Sequence, residues 1–125
     1  MKDETAAAQW YRKAADQGNE FAQCGLAAMY REGRGVAKDP AEAIPLLRRS
    51  AASGRSDAAL ALGMMYANGE GTSKDSGEAY FWALLAQWDD EAKVQAEALL
   101  GALAKSVTPR QIAKAKQRVD DLDFG

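Results

Sequence analysis

The sequence predicts an all-α superhelix built from stacked helical hairpins. The chain has 125 residues, a length that suits a single domain. Twenty-seven residues are alanine, the best helix former, whereas the strand-favouring residues valine, isoleucine and threonine are scarce. The third observation is an internal repeat of 36 residues: sixteen positions between Lys2 and Ala43 are identical 36 residues later.

Each repeat is predicted to contain a helix A, a glycine loop and a helix B. Helix A extends from about Glu20 to Glu32 and again from about Ser56 to Asn68. Its apolar residues recur at the i, i+4, i+7, i+8 spacing of one helical face. In the two units these residues are Ala22, Leu26, Met29 and Tyr30, then Ala58, Leu62, Met65 and Tyr66. Gly33 is expected to end the first of these helices, because glycine readily adopts a positive φ.

Helix B is predicted to begin at Asp39, whose carboxylate would accept a bond from an unpaired backbone N–H. Pro40 suits the first helical position, and Glu42 completes the spacing of a capping box. Asp75 and Glu78 repeat this pattern.

Helix B also contains two features that distinguish individual repeats. Pro45 should remove one backbone hydrogen bond and bend the helix. Trp10, Leu46 and Trp82 share one repeat position, and we expect all three to be packed in the core.

The paired glycines, the cap and both apolar faces between Ala22 and Gly54 resemble a Sel1-like repeat, a relative of the tetratricopeptide repeat. Trp10 to Gly18 is similar to the end of another unit, so the resemblance covers roughly Lys2 to Trp88. Thr72 departs from the pattern, since the other loop has Val36 at that position. The resemblance implies a right-handed α/α superhelix, with the A helices lining its concave side.

We predict a single repeat domain. Residues 2–18 form helix B of a partial repeat, residues 20–54 and 56–90 form two repeats, and residues 91–125 form a degenerate helix followed by a C-terminal capping helix. Thr108 and Pro109 begin the capping helix. Its narrow apolar stripe consists of Ile112, Ala115, Val119 and Leu122. Because the chain begins at a helix B, we expect either that repeats precede Met1 in a longer protein or that another molecule, such as a second copy, covers this end.

Composition argues against several classes of function. The absence of histidine removes Ser-His-Asp and Cys-His catalysis and the commonest zinc ligand. We therefore predict no enzyme activity, no cofactor and no metal. Cys24 is the single cysteine and is expected to be a small apolar filler. The sequence leaves the compartment open: the chain as given suits the cytoplasm, and a periplasmic or secreted location is compatible with the removal of a signal peptide.

The resemblance implies a non-catalytic adaptor that docks a peptide or protein partner on the helix-A surface. Arg31 and Arg34 could clamp a carboxylate, while Leu60 and Met64 either form an apolar floor or pack adjacent A helices together. The candidate residues are Cys24, Ala28, Arg31, Arg34, Leu60, Met64 and Ala67. Further aromatic candidates for a partner contact are Tyr11, Tyr80 and Trp88.

Two alternative functions stay open. One is a regulatory or inhibitory protein with one tight partner. The other is nucleic-acid binding through the basic C-terminal helix, which the net charge of −2 and the lack of interleaved aromatic residues disfavour. The basic residues concerned are Lys105, Arg110, Lys114, Lys116 and Arg118.

Overall fold

A computed structural model describes residues 3–122, and that part of the chain contains seven α-helices and no strand. The helices are α1 (Glu4–Asp16), α2 (Glu20–Glu32), α3 (Pro40–Ala52), α4 (Ser56–Asn68), α5 (Ser76–Ala86), α6 (Asp90–Leu103) and α7 (Pro109–Asp121). The predicted all-α class and the bounds of both A helices are confirmed. Residues 1–2 and 123–125, at the ends of the predicted first and last segments, lie outside the described residues.

The helices stack as alternating A and B elements. α3 packs against α2 and α4, and α5 packs against α4 and α6. α6 also contacts α4, and α7 packs against α5. Each helix therefore contacts mainly its neighbours in sequence or in the next unit, as expected of a solenoid.

The hydrophobic core follows the repeat. Residues at equivalent positions of α2 and α4 are buried, as their helical spacing predicts. These pairs are Ala22 and Ala58, Leu26 and Leu62, and Met29 and Met65. The predicted core-facing side of helix A is therefore confirmed.

The glycine loops end both A helices as predicted. Gly33 and Gly69 adopt φ values of 71° and 70° and donate their N–H groups to the carbonyls of Met29 and Met65. The left-handed conformation stops each helix and turns the chain towards the following helix B.

The predicted caps of the B helices differ between repeats. Asp75 accepts a hydrogen bond from the N–H of Glu78 at 3.0 Å, as expected. The predicted side-chain cap at Asp39 is wrong, because its carboxylate makes no capping bond. The N–H of Glu42, which this carboxylate would have bound, donates instead to the main-chain oxygen of Asp39 at 3.0 Å.

The three equivalent residues of helix B have different environments. Leu46 and Trp82 are 5 % and 8 % exposed, but Trp10 is 61 % exposed, so the prediction that Trp10 is packed is wrong. The reason is that α3 and α5 each pack against an A helix that precedes them. Within the described residues, no helix takes that place before α1.

A repeated Arg–Tyr pair connects each of the first two B helices, α1 and α3, to the A helix that follows it. Arg12 donates to the hydroxyl of Tyr30, and Arg48 donates to that of Tyr66. Each guanidinium also lies over the ring of its partner, 5.6 Å and 5.9 Å from the centroid. In both pairs the cation therefore lies against the π face of the tyrosine ring. Tyr66 is buried, as predicted for a core position.

Candidate partner-binding surface

The first two A helices expose an apolar residue at one shared repeat position. Ala28 of α2 is exposed, and Met64 of α4, 36 residues later, is 42 % exposed. We call these two residues the A stripe. The 36-residue register does not continue into α6, because Val94, which would be equivalent to the buried Ala22 and Ala58, is 76 % exposed.

Next to Met64, α4 is closely packed by two other helices at Gly63. A Cβ atom at Gly63 would lie 3.0 Å from Cδ2 of Leu99 and 3.3 Å from the carbonyl oxygen of Ala79. The absence of a side chain at Gly63 therefore lets α5 and α6 approach α4 together. Met64, the next residue along α4, remains at the surface.

Leu60 and Cys24, two other candidates, lie deeper. Leu60 is 8 % exposed and belongs to the hydrophobic core. Cys24 is half-buried against this core, and burial raises the pKa of its thiol, with the nearby Asp57 carboxylate acting in the same direction. A raised pKa disfavours the reactive thiolate, which is consistent with the predicted packing role.

Arg31 lies beside the A stripe and already has a carboxylate partner. Its Nη2 and Nε atoms donate to Oε1 and Oε2 of Glu70 at 2.9 Å and 3.1 Å. This bidentate pair holds the pKa of Glu70 below its usual range. Arg31 therefore links α2 to the α4–α5 loop, and an incoming carboxylate would have to compete with Glu70.

The other predicted cation, Arg34, lies in the exposed α2–α3 loop. Its Nη1 atom is 2.8 Å from Oε1 of Glu32, and its Nε atom is 3.9 Å from Oε2 of Glu4. Ala67, the remaining candidate, is half-buried on α4. The structure thus brings Ala28, Met64 and Ala67 near the surface and places both arginines in ion pairs.

The basic C-terminal helix is attached through one of its cations. Arg118 of α7 donates to Oε1 of Glu78, and its guanidinium carbon lies 3.8 Å from the centroid of the Phe81 ring. The other carboxylate oxygen of Glu78 accepts from the indole N–H of Trp82 at 3.1 Å. Arg118 therefore contributes to packing, while Arg110, Lys114 and Lys116 are exposed.

The described residues contain no group of three or more acidic, cysteine or histidine side chains placed to hold a metal ion. In the same part of the chain, no helix combines the length and apolar character of a membrane span.

The family model of the Sel1 repeat matches residues 1–19, 21–54 and 56–86. This match covers more than half of the chain and includes both glycine loops and all three B helices. The chain belongs to the Sel1 repeat family. Sel1 repeats are generally protein–protein interaction modules, and proteins built from them are typically non-enzymatic scaffolds.

Two solved structures of Sel1-type repeats have the same fold. One is c5321, described as a protective antigen present in uropathogenic Escherichia coli strains and displaying an SLR fold; it has a TM-score of 0.86 and 30% identity over 93% of this chain. The other is a Sel1 repeat protein from Oxalobacter formigenes, with a TM-score of 0.74 and 34% identity over 82% of this chain. The match spans 25% of the first structure and 41% of the second. No curated protein matches the sequence.

Proposed function

We propose that this chain is an adaptor module that docks a peptide or helix of a protein partner along the A stripe. The proposal rests mainly on Met64, a large apolar side chain that is 42 % exposed in the central A helix. Met64 is flexible and polarizable, so it can adapt to the surface of a partner. Small side chains at Ala28 and Ala67 allow a partner backbone to approach closely on either side.

The Arg31–Glu70 pair gives this surface a polar edge. Both side chains are about one-quarter to one-third exposed, at 27% and 30%. A partner can therefore accept hydrogen bonds from Arg31 or donate them to Glu70 without first opening the core. Apolar contacts along the stripe and polar contacts at its edge together form the arrangement that is common in protein interfaces.

The test is affinity capture from a lysate of the source organism with wild type and the variant Met64→Glu. Val94→Glu is the matched control, because Val94 is an exposed apolar residue on α6, outside the A stripe. We expect the same partner to be retained by wild type and Val94→Glu and lost by Met64→Glu. Circular dichroism should show equal helical content for all three proteins.

The same capture distinguishes the two kinds of interaction module. Several partners lost together would indicate an adaptor, whereas one tightly held partner would indicate a regulatory or inhibitory protein. Equal retention by Met64→Glu would contradict docking on the A stripe.

A further inference from the structure

A second apolar opening lies away from the A stripe, at the junction of the last repeat and the capping helix. It is an open cleft of about 710 Å³ between the end of α3, the start of α4, α5 and the end of α7. We call it the α5 cleft. Phe81 and Trp82 are buried in its wall, and Leu85 is half-buried. Trp88 and Leu122, which also line it, are 61 % and 39 % exposed.

The preceding repeat provides an internal comparison for this cleft. The cleft residues Ala59, Leu85 and Trp88 correspond, 36 residues earlier, to Gln23, Arg49 and Ala52. The same helical framework therefore forms with polar or small residues at these positions. The large apolar side chains of Leu85 and Trp88 are therefore specific to the last repeat and are not required by the repeat fold itself.

The capping helix does not fill this apolar surface. Arg118 of α7 covers the ring of Phe81, yet Trp88 keeps 61 % of its surface exposed. Large exposed aromatic side chains beside a concave apolar wall are typical of sites that bind another molecule.

The charged rim of the cleft indicates what kind of segment it accepts. Arg55 is neutralised by Asp57, with an N–O distance of 2.7 Å. Asp89 and Asp90 also line the cleft, and neither forms an ion pair within residues 3–122. Oδ1 of Asp89 accepts a hydrogen bond from the N–H of Glu91 at 3.0 Å, and the two aspartates make the rim negative where it meets the apolar wall.

We propose that the α5 cleft binds an exposed segment of a protein partner that carries a bulky apolar side chain next to lysine or arginine. The apolar side chain would pack against Leu85 and Trp88, and the cation would lie near Asp89 and Asp90. This site is separate from the A stripe, so the chain can contact two segments or two partners at once.

The test uses random linear peptides displayed on phage and selected on the wild-type chain. The comparison protein is the triple variant Ala59→Gln, Leu85→Arg, Trp88→Ala, which carries the residues of the preceding repeat at all three positions. We expect enriched peptides to combine a large apolar residue with lysine or arginine. Fluorescence anisotropy with the labelled peptides should show binding at least about tenfold weaker to the triple variant.

Three further variants separate the aromatic, the charged and the A-stripe contributions to peptide binding. Trp88→Ala alone should weaken binding, and it replaces the triple variant as the comparison protein if that variant fails to fold. Asp90→Asn should weaken binding and reduce its salt dependence, because it removes one rim charge. Met64→Glu should bind the peptides as wild type does, which distinguishes this site from the A stripe.

Peptides that bind the triple variant as tightly as wild type, or a selection that enriches no sequence over that variant, would overturn the proposal. Enrichment of acidic peptides would overturn the assigned charge. A wild-type dimer in light scattering that the triple variant abolishes would assign the cleft to a second copy of the chain instead.

Discussion

At the scale of single residues, the second glycine of each loop has a role beyond its local conformation. Gly71 has a φ of 73°, and a Cβ atom there would lie 2.6 Å from the carbonyl carbon of Pro40. Gly35 makes the equivalent approach to Glu4 at the start of α1, with 2.2 Å to the main-chain oxygen. Each loop therefore packs directly on the first turn of the preceding B helix. The 36-residue spacing predicts a tight loop, but it does not reveal this contact between units.

Gly71→Ala should consequently destabilise the protein by at least about 2 kcal/mol, from backbone strain at positive φ together with the clash against Pro40. Gly54→Ala is the matched control for strain alone: its φ is 102°, but nothing lies within 4 Å of the added Cβ. It should cost about 1 kcal/mol. Urea unfolding measures the free energy of unfolding of both variants. Equal losses of stability would mean that the contact with Pro40 is unimportant.

The Arg31–Glu70 pair predicts a dependence of stability on pH. The pKa of Glu70 is lowered by the hydrogen bond from Arg31, below an unperturbed value of 4.5. A carboxylate with a lowered pKa in the folded state stabilises the protein above its unfolded pKa. This stabilisation is lost as pH falls through the folded value. Glu70→Gln should therefore cost roughly 0.5–1 kcal/mol near pH 7, and this cost should shrink progressively as the pH falls below about 4.5.

Glu32→Gln is the matched control for that experiment, because the Glu32–Arg34 pair is more exposed, at 55% and 53%. It should change the free energy of unfolding by less than about 0.5 kcal/mol at any pH in this range. A constant loss for Glu70→Gln across the pH range would show that the effect does not arise from its ionisation.

At the scale of the elements, the capping helix is held by few apolar contacts. Ala115 is buried and Val119 is half-buried, but Leu122 is 39 % exposed. Thr108 caps the start of α7 as predicted, and Gln111 completes a reciprocal capping box with it. The contacts of Arg118 with Glu78 and Phe81 therefore supply a large share of the attachment to α5.

Arg118→Ala should release α7 before the rest of the stack unfolds. The lost charge-assisted hydrogen bond and cation–π contact correspond to about 1–2 kcal/mol, or roughly tenfold faster amide exchange in α7. Hydrogen exchange measured by mass spectrometry tests this expectation, with the exposed Arg110→Ala as the control. Unchanged exchange in α7 would mean that its apolar stripe is sufficient for docking.

Helix boundaries were the part of the fold that the sequence predicted best. Glycine stops and N-cap residues act within a few residues of the chain, so the bounds of α2 and α4 follow from local chemistry. The candidate site was harder to predict because its contacts join distant residues. Arg31 meets Glu70 across 39 positions, and Leu60 is buried by the stacking of the helices. Neither contact leaves a periodic signal within one helix.

At the scale of the whole molecule, burial depends on the place of a unit in the stack. In a solenoid each unit is stabilised by its own contacts and by those with its neighbours. Helices α3 and α5 pack on both sides, whereas α1 packs mainly against α2. Identical repeat positions are therefore expected to differ in their contribution to stability.

Trp10 and Trp82 test this difference with the same side chain at the same repeat position. Trp82→Ala should cost about 3–5 kcal/mol, because it removes a buried side chain and its hydrogen bond to Glu78. Trp10→Ala should cost less than about 1 kcal/mol, since Trp10 is 61 % exposed. Urea unfolding at several protein concentrations provides the measurement. Similar costs for both variants would contradict the exposure of Trp10 in solution, and a cost for Trp10→Ala that grows with concentration would show that a second copy covers α1.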